Sequence, residues 1–169
     1  MPNPDAEHLI DQAVRLTRPL AAGPPRQTDL RRAISSAYYA VFHMTLGAAA
    51  DAVIGRTRRG TPAYALAYRS IEHKSLRTIC DMVRRQPPPL RYRRYLPEPA
   101  FGPDLRAFAR STIELQEERY AADYDPTDQF PASRAGRAIN VARAALHHWA
   151  AAPETERRSL LMLLLFPPR

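Results

Sequence analysis

The chain has 169 residues, 25 basic and 17 acidic, for a formal net charge of +8. That length suits a single domain, about 100–200 residues being usual, and no run of about 18 apolar residues occurs, so no spanning helix is expected. The one cysteine, Cys80, excludes an internal disulfide, and no basic n-region leads into an apolar core, so a cytoplasmic chain without a secretory signal is expected.

The first predicted helix covers residues 5–18, with Leu9, Ile10, Ala13, Val14 and Leu16 at helical spacing and Pro19 as its stop. A Pro-Gly linker fills 21–26. Thr28 or Asp29 can cap a long second helix that runs to about Ile54, before Gly55. Leu30, Ile34, Ala37, Val41 and Ala48 make its core stripe. Beside them Ser36, Tyr39, His43 and Gly47 form a second stripe of hydrogen-bonding groups where a solvated face would carry Lys and Glu. Such a face borders a cleft or a partner, or consists of half-buried side chains satisfied by neighbours.

Residues 55–62 read as a basic turn, and 63–85 as a third helix with Leu66, Ile71, Leu76, Ile79 and Val83 apolar. Cys80 falls on that apolar face as a buried, inert thiol. Residues 86–104 hold Pro87, Pro88, Pro89, Pro97, Pro99 and Pro103 and are expected to be neither helix nor strand. In this long loop Arg84, Arg85, Arg91, Arg93 and Arg94 interleave with Tyr92 and Tyr95. That composition suits either a single-strand-binding surface or a solvated, proline-stiffened insertion.

Asp104 is expected to cap a fourth helix reaching about Tyr124, with Leu105, Phe108, Thr112 and Leu115 on one face. Pro126 and Pro131 bracket a turn before a fifth helix over 132–152, in which Ile139, Ala142, Leu146 and Trp149 are expected inside. A sixth helix follows Pro153-Glu154 and ends in seven apolar residues, 160–166, which pack on the bundle or against a second subunit. The expected fold is all-α: one domain, 1–169, an antiparallel up-and-down helical bundle. Its core is 28–150, with the Pro/Arg-rich loop and a C-terminal apolar extension, 153–169.

Of the 25 basic residues 24 are Arg, Lys74 being the exception. Arg grips phosphate in a bidentate way and stacks on bases, which suits an RNA or nucleotide partner. A GC-rich gene would also enrich Arg, Ala and Pro, so the clustering of Arg carries more weight than its frequency. None of the six glycines forms a phosphate-cradling loop, and one Cys without an HExxH pattern supplies no zinc set, so no cofactor or metal is expected.

Two pairs four residues apart stand out. Arg119 and Asp123 share a helix face beside Tyr120 and Tyr124, and Arg69 and His73 share another. A guanidinium beside an imidazole is what metal-free RNA cleavage requires: His moves the proton, and Arg offsets charge growing on the phosphate. The plainer reading is an ordinary surface pair at helical spacing.

The segment 31–43, with its Ser-x-x-Tyr-Tyr-Ala-x-Phe-His pattern, resembles the second helix of HEPN-domain proteins. Arg119-Tyr-Ala-Ala-Asp-Tyr-Asp-Pro126 is similar to a signature of small stand-alone bacterial members of that superfamily, and the resemblance covers roughly 28–150. It implies a dimerising helical bundle with a cleft at the dimer interface. It also implies metal-independent endoribonuclease activity, often in a toxin encoded beside a nucleotidyltransferase antitoxin. The family's active motif, Arg followed four to six residues later by His, is not intact: Asp123 and Tyr124 stand in that place. The resemblance therefore leaves two alternatives. In one, His43 or His73 reaches Arg119 by packing of the bundle or from a second subunit across a two-fold axis and transfers the proton, with Asp123 orienting Arg119 and Ser36 and Tyr39 lining the cleft. In the other, the chain is a non-catalytic module that binds RNA, a nucleotide or its nucleotidyltransferase partner through Arg119, the neighbouring tyrosines and the loop arginines, or acts as a structural dimerisation protein.

Overall fold

Helix is the regular state of this computed structural model, which describes residues 4–19, 23–97 and 100–168. Among them run α1 (Ala6–Leu16), α2 (Gln27–Val53), α3 (Pro62–Arg69), α4 (His73–Arg84), α5 (Leu90–Arg93), α6 (Pro103–Tyr124), α7 (Ala132–Ala151) and α8 (Glu154–Leu165), with a 3-10 turn at Arg56–Arg58. No described segment is a β-strand, and no described helix is long and apolar enough to cross a membrane.

The starts and stops follow local chemistry. Asp5 caps α1 by accepting from the backbone N–H groups of Glu7 and His8 at 2.8 and 3.2 Å. Thr61 caps α3, where Pro62 takes the first position and gives up no needed donor. The expected cap of α2 by Thr28 or Asp29 gives way to another anchor. The helix begins at Gln27, whose amide accepts from Phe130 N and donates to Phe130 O, both at 2.9 Å. Asp29 lies in the first turn instead, where its charge complements the positive end of the helix. Gly55, at φ +96°, ends α2 in a backbone conformation that side chains resist.

α2 is the axis, packing against α1, α3, α6, α7 and α8. Its direction relative to α6 can be read from three ties. Arg31 donates to the carbonyls of Ala122, Asp125 and Asp128 at 2.9, 2.7 and 2.6 Å, Ser35 meets Asp123, and Tyr39 meets Arg119. Numbers rise along α2 as they fall along α6, so the two are antiparallel. The same holds between α6 and α7, where Glu118 binds Arg134 and Phe108 packs on Trp149 with ring centres 4.9 Å apart. Arg31 thus closes the carbonyl end of α6 and sets the position of Asp123.

Further expectations need correction. The single helix over 63–85 is broken: α3 stops at Arg69 and α4 starts at His73. The Ser70 hydroxyl donates to the Ala67 carbonyl at 2.7 Å and the chain turns so that Ile71 is buried, while Leu66, on the apolar pattern of the expected helix, is 76% exposed. The 86–104 stretch, expected to hold no helix, contains the single turn α5 after Pro89, tied down by buried Tyr92 and Phe101. Asp104 is not the cap of α6 but its second residue, and its carboxylate meets His148 Nδ1 at 2.8 Å.

The apolar tail packs within the chain. Leu160, Leu161, Leu163 and Leu164 are buried, α8 lying against α2 and α4, while Phe166 stays exposed. Ala48 and Leu146, expected inside, are only partly buried at the edge of the core.

Candidate functional site

The second stripe of α2 meets α3, the start of α4 and the C-terminal half of α6 in one cluster. Arg119 is its centre. Its Nη2 donates to the Tyr39 hydroxyl at 2.9 Å, and its guanidinium carbon lies 5.5 Å from the Tyr39 ring centre and 5.6 Å from that of Tyr124. Its Nε lies 2.6 Å from Asp123 Oδ2, with the two side chains 15% and 28% exposed. The N–H does not point along that line, so the contact is an ion pair without a well-aligned hydrogen bond, and the buried Nε–H remains an unsatisfied donor. Ser35 donates to the other Asp123 oxygen at 2.6 Å. The carboxylate is therefore held from two helices and in turn fixes Arg119.

Two histidines complete the cluster. His73, the first residue of α4, holds the Tyr38 hydroxyl at its Nδ1 at 2.7 Å, and its ring centre is 4.0 Å from that of Phe42. His43 holds the Tyr68 hydroxyl at its Nδ1, also at 2.7 Å. In both rings Nε2 has no hydrogen-bond partner among the described residues. Each imidazole is thus oriented through one nitrogen with the other free, and the hydroxyl permits either tautomer because it can donate or accept. Gln116 Nε2 donates to the His73 carbonyl at 3.0 Å and braces the start of α4 against α6.

Burial sets the protonation states. It lowers the pKa of His43, and it lowers that of His73 with further help from the charges of Arg119 and His43. Burial pushes Tyr68 up to about 12, with the Tyr64 charge adding to it. It raises Tyr38 further, Arg119 opposing only in part. Near neutral pH the cluster therefore holds the Arg119–Asp123 ion pair, two uncharged imidazoles and the protonated phenols of Tyr38 and Tyr68. Arg119 itself loses solvation on burial, but Tyr39 and Asp123 more than offset that and keep its pKa above the ordinary value.

The depressed histidines carry a stability prediction. Their folded pKa values lie below the unfolded value of about 6.5, so the unfolded chain binds more protons as the pH falls. Their contribution is fully present above that value and is lost as the pH falls through the folded values. The urea midpoint should therefore drop from pH 7 to pH 5, and a His43→Gln/His73→Gln double variant should show a shallower slope over that interval. Equal slopes would contradict the burial of these rings.

Several expected residues fall elsewhere. Arg119, Asp123, Tyr39, Tyr124, His43 and His73 are brought together. Ser36 is not part of the cluster: its hydroxyl approaches Gln12 Oε1 on α1 at 3.5 Å, and Ser35 takes the Asp123 contact. Arg69 does not pair with His73, because the break between α3 and α4 removes the shared face and leaves Arg69 exposed. Arg91, Arg93 and Arg94 are exposed around α5 and engage Tyr92, Pro88 and Tyr95, with no bond to the Arg119 cluster. Arg94 and Tyr95 instead border a groove of about 880 Å³ against Arg158, Met162 and Phe166 of the C-terminal segment. Cys80 is fully buried, its thiol pushed up to about 12 by burial, and offers no thiolate.

Ser35, Tyr68 and Gln116 had no sequence signal of their own. Ser35 lies between the two stripes of α2, and Tyr68 and Gln116 reach the site only because α3 and α6 pack beside α2. Among the described residues no three His, Cys, Asp or Glu side chains stand close enough to hold a metal ion. No family model, curated protein or solved structure matches this chain.

Proposed function

We propose that this chain is a HEPN-like RNA-binding protein whose Arg119 cluster cuts single-stranded RNA without a metal. The observation that carries this reading is the pairing of a half-buried, fixed cation with two imidazoles, each held by a tyrosine at Nδ1 and free at Nε2 among the described residues. A 2′-hydroxyl presented to a free Nε2 would lose its proton there, its oxygen would attack the adjacent phosphorus, and the bond to the 5′-oxygen of the next nucleotide would break as that oxygen takes up the proton the imidazole had accepted. Arg119 would meet the negative charge growing on the phosphate. His73, uncharged and close enough to Arg119 to feel its charge, stands nearest the phosphate site and is the base; His43 is the second proton carrier.

Lys74 and Arg69, exposed near His73 and without an ion-pair partner among the described residues, would draw the RNA backbone toward the cleft. The rest of the reading follows the resemblance: a cytoplasmic homodimer, one half of a two-gene toxin–antitoxin or defence pair, neutralised by a nucleotidyltransferase partner.

A second reading has its own support. Asp123 occupies the place of the family's histidine and pairs with Arg119, which is only 15% exposed. A cation so engaged suits a module that holds RNA, a nucleotide or a nucleotidyltransferase and performs no chemistry. Incubating end-labelled single-stranded RNA with the purified chain in EDTA separates the two. Cut RNA supports the ribonuclease, intact but gel-shifted RNA supports the binding module, and RNA neither bound nor cut at low salt would refute both.

A further inference from the structure

Tyr120 and Tyr124, one turn apart on α6, are 66% and 61% exposed. Their ring centres lie 5.0 Å apart with the planes tilted by 47°. Elsewhere Tyr95 and Phe166 share the C-terminal groove, but no ring pair between them matches that of Tyr120 and Tyr124. These two touch each other, and Tyr124 also lies against the Arg119 guanidinium. They wall a groove of about 680 Å³ that Arg77, Gln116, Glu117 and Pro126 complete, a size within the roughly 300–1,000 Å³ of small-ligand sites.

The charges of that groove are already matched. Arg77 binds Glu117 at 2.6 Å and approaches Asp81 at 3.9 Å. The Asp125 carboxylate at the rim accepts from the backbone N–H groups of Thr127 and Asp128. A phosphate finds no unpaired cation there, whereas a flat ring finds two aromatic walls. Gln116 links this groove to the cleft: its Nε2 is bound to the His73 carbonyl, while its Oε1 has no partner among the described residues and can accept from a base N–H.

We propose that Tyr120 and Tyr124 form a stacking site for one unpaired nucleobase of single-stranded RNA, next to the phosphate held at the Arg119–His73 cleft. The proposal rests on the RNA reading above and adds where a base sits. Stacking of a base on an aromatic ring tolerates any sequence and needs only an open ring face.

The test uses the full chain and a short oligouridine carrying a single 2-aminopurine, with affinity read by anisotropy and stacking by quenching of the 2-aminopurine. Tyr120→Ala/Tyr124→Ala should weaken binding by about tenfold or more and abolish the quenching, on the scale of one stacked base. Tyr120→Phe/Tyr124→Phe keeps both rings and should stay near wild type. Both side chains are exposed, so the helical melt of each variant should be unchanged. Equal binding and quenching in wild type and the Ala pair would overturn the stacking site and leave the RNA reading intact. Equal losses in the Ala and Phe pairs would assign the contact to the hydroxyls and also overturn it. A wild-type chain that binds no oligouridine would overturn the RNA reading and the stacking site with it.

Discussion

Arg119→Ala should lower single-turnover cleavage of end-labelled RNA by about 10²–10³-fold, the cost of removing one fixed donor from developing charge. The fold should survive. Arg119 is not part of the apolar core, and Asp123, 28% exposed, keeps its bond from Ser35 and can draw in water where the guanidinium was. Arg119→Lys is the sharper comparison. An ammonium keeps the charge, but it is a compact point donor and cannot span Asp123 and the Tyr39 hydroxyl as the planar guanidinium does. Lys should therefore recover binding before it recovers cutting. If wild type binds without cutting, Arg119→Ala should instead weaken RNA binding and reduce its salt slope by about one. Full activity in Arg119→Ala, with helical content unchanged, would remove Arg119 from the site.

The extents of α1, α7 and α8 and the end of α2 were legible because breakers mark them: Pro19, Gly55, Pro131 and Pro153 stand at or near the boundaries. The pairing of Arg119 with Asp123 was legible too, since one helix turn fixes it. What failed had a common cause. The break after Arg69 depends on burying Ile71 and on the Ser70 hydroxyl taking a carbonyl, and neither changes the helical spacing of apolar residues. The stripe pattern singles out Ser36 because it shows which residues share a face. It does not show how α2 is rotated against α6, and that rotation presents Ser35 to Asp123. The tyrosine partners of the two histidines lie 35 and 25 residues away in sequence, across helix packings that periodicity cannot report.

The histidines separate the ribonuclease from the binding module. His73→Ala should reduce cleavage by about 10²–10⁴-fold, the usual contribution of a positioned proton-transfer group, while RNA affinity changes little. His43→Ala should cost less. Its imidazole stands beside Tyr39 and Tyr68 and borders the groove of Arg15, Arg56 and Arg59, whereas His73 is the ring close enough to Arg119 for that charge to act on it. The pH–rate profile distinguishes a base from a structural prop. With His73 acting as the base, the rate is level near pH 7 and falls on acidification through a pKa below the ordinary 6.5. That acid limb should disappear in His73→Ala, and added imidazole should restore part of the rate by entering the space the ring left. Tyr38→Phe should keep the ring but free its Nδ1, giving a smaller loss with a displaced limb. An acid limb and imidazole rescue that follow His43 would move the base to α2 and make His73 its neighbour. Cleavage indifferent to both substitutions would end the case for proton transfer here, and Arg119 with its tyrosines would remain as a surface that grips RNA without cutting it.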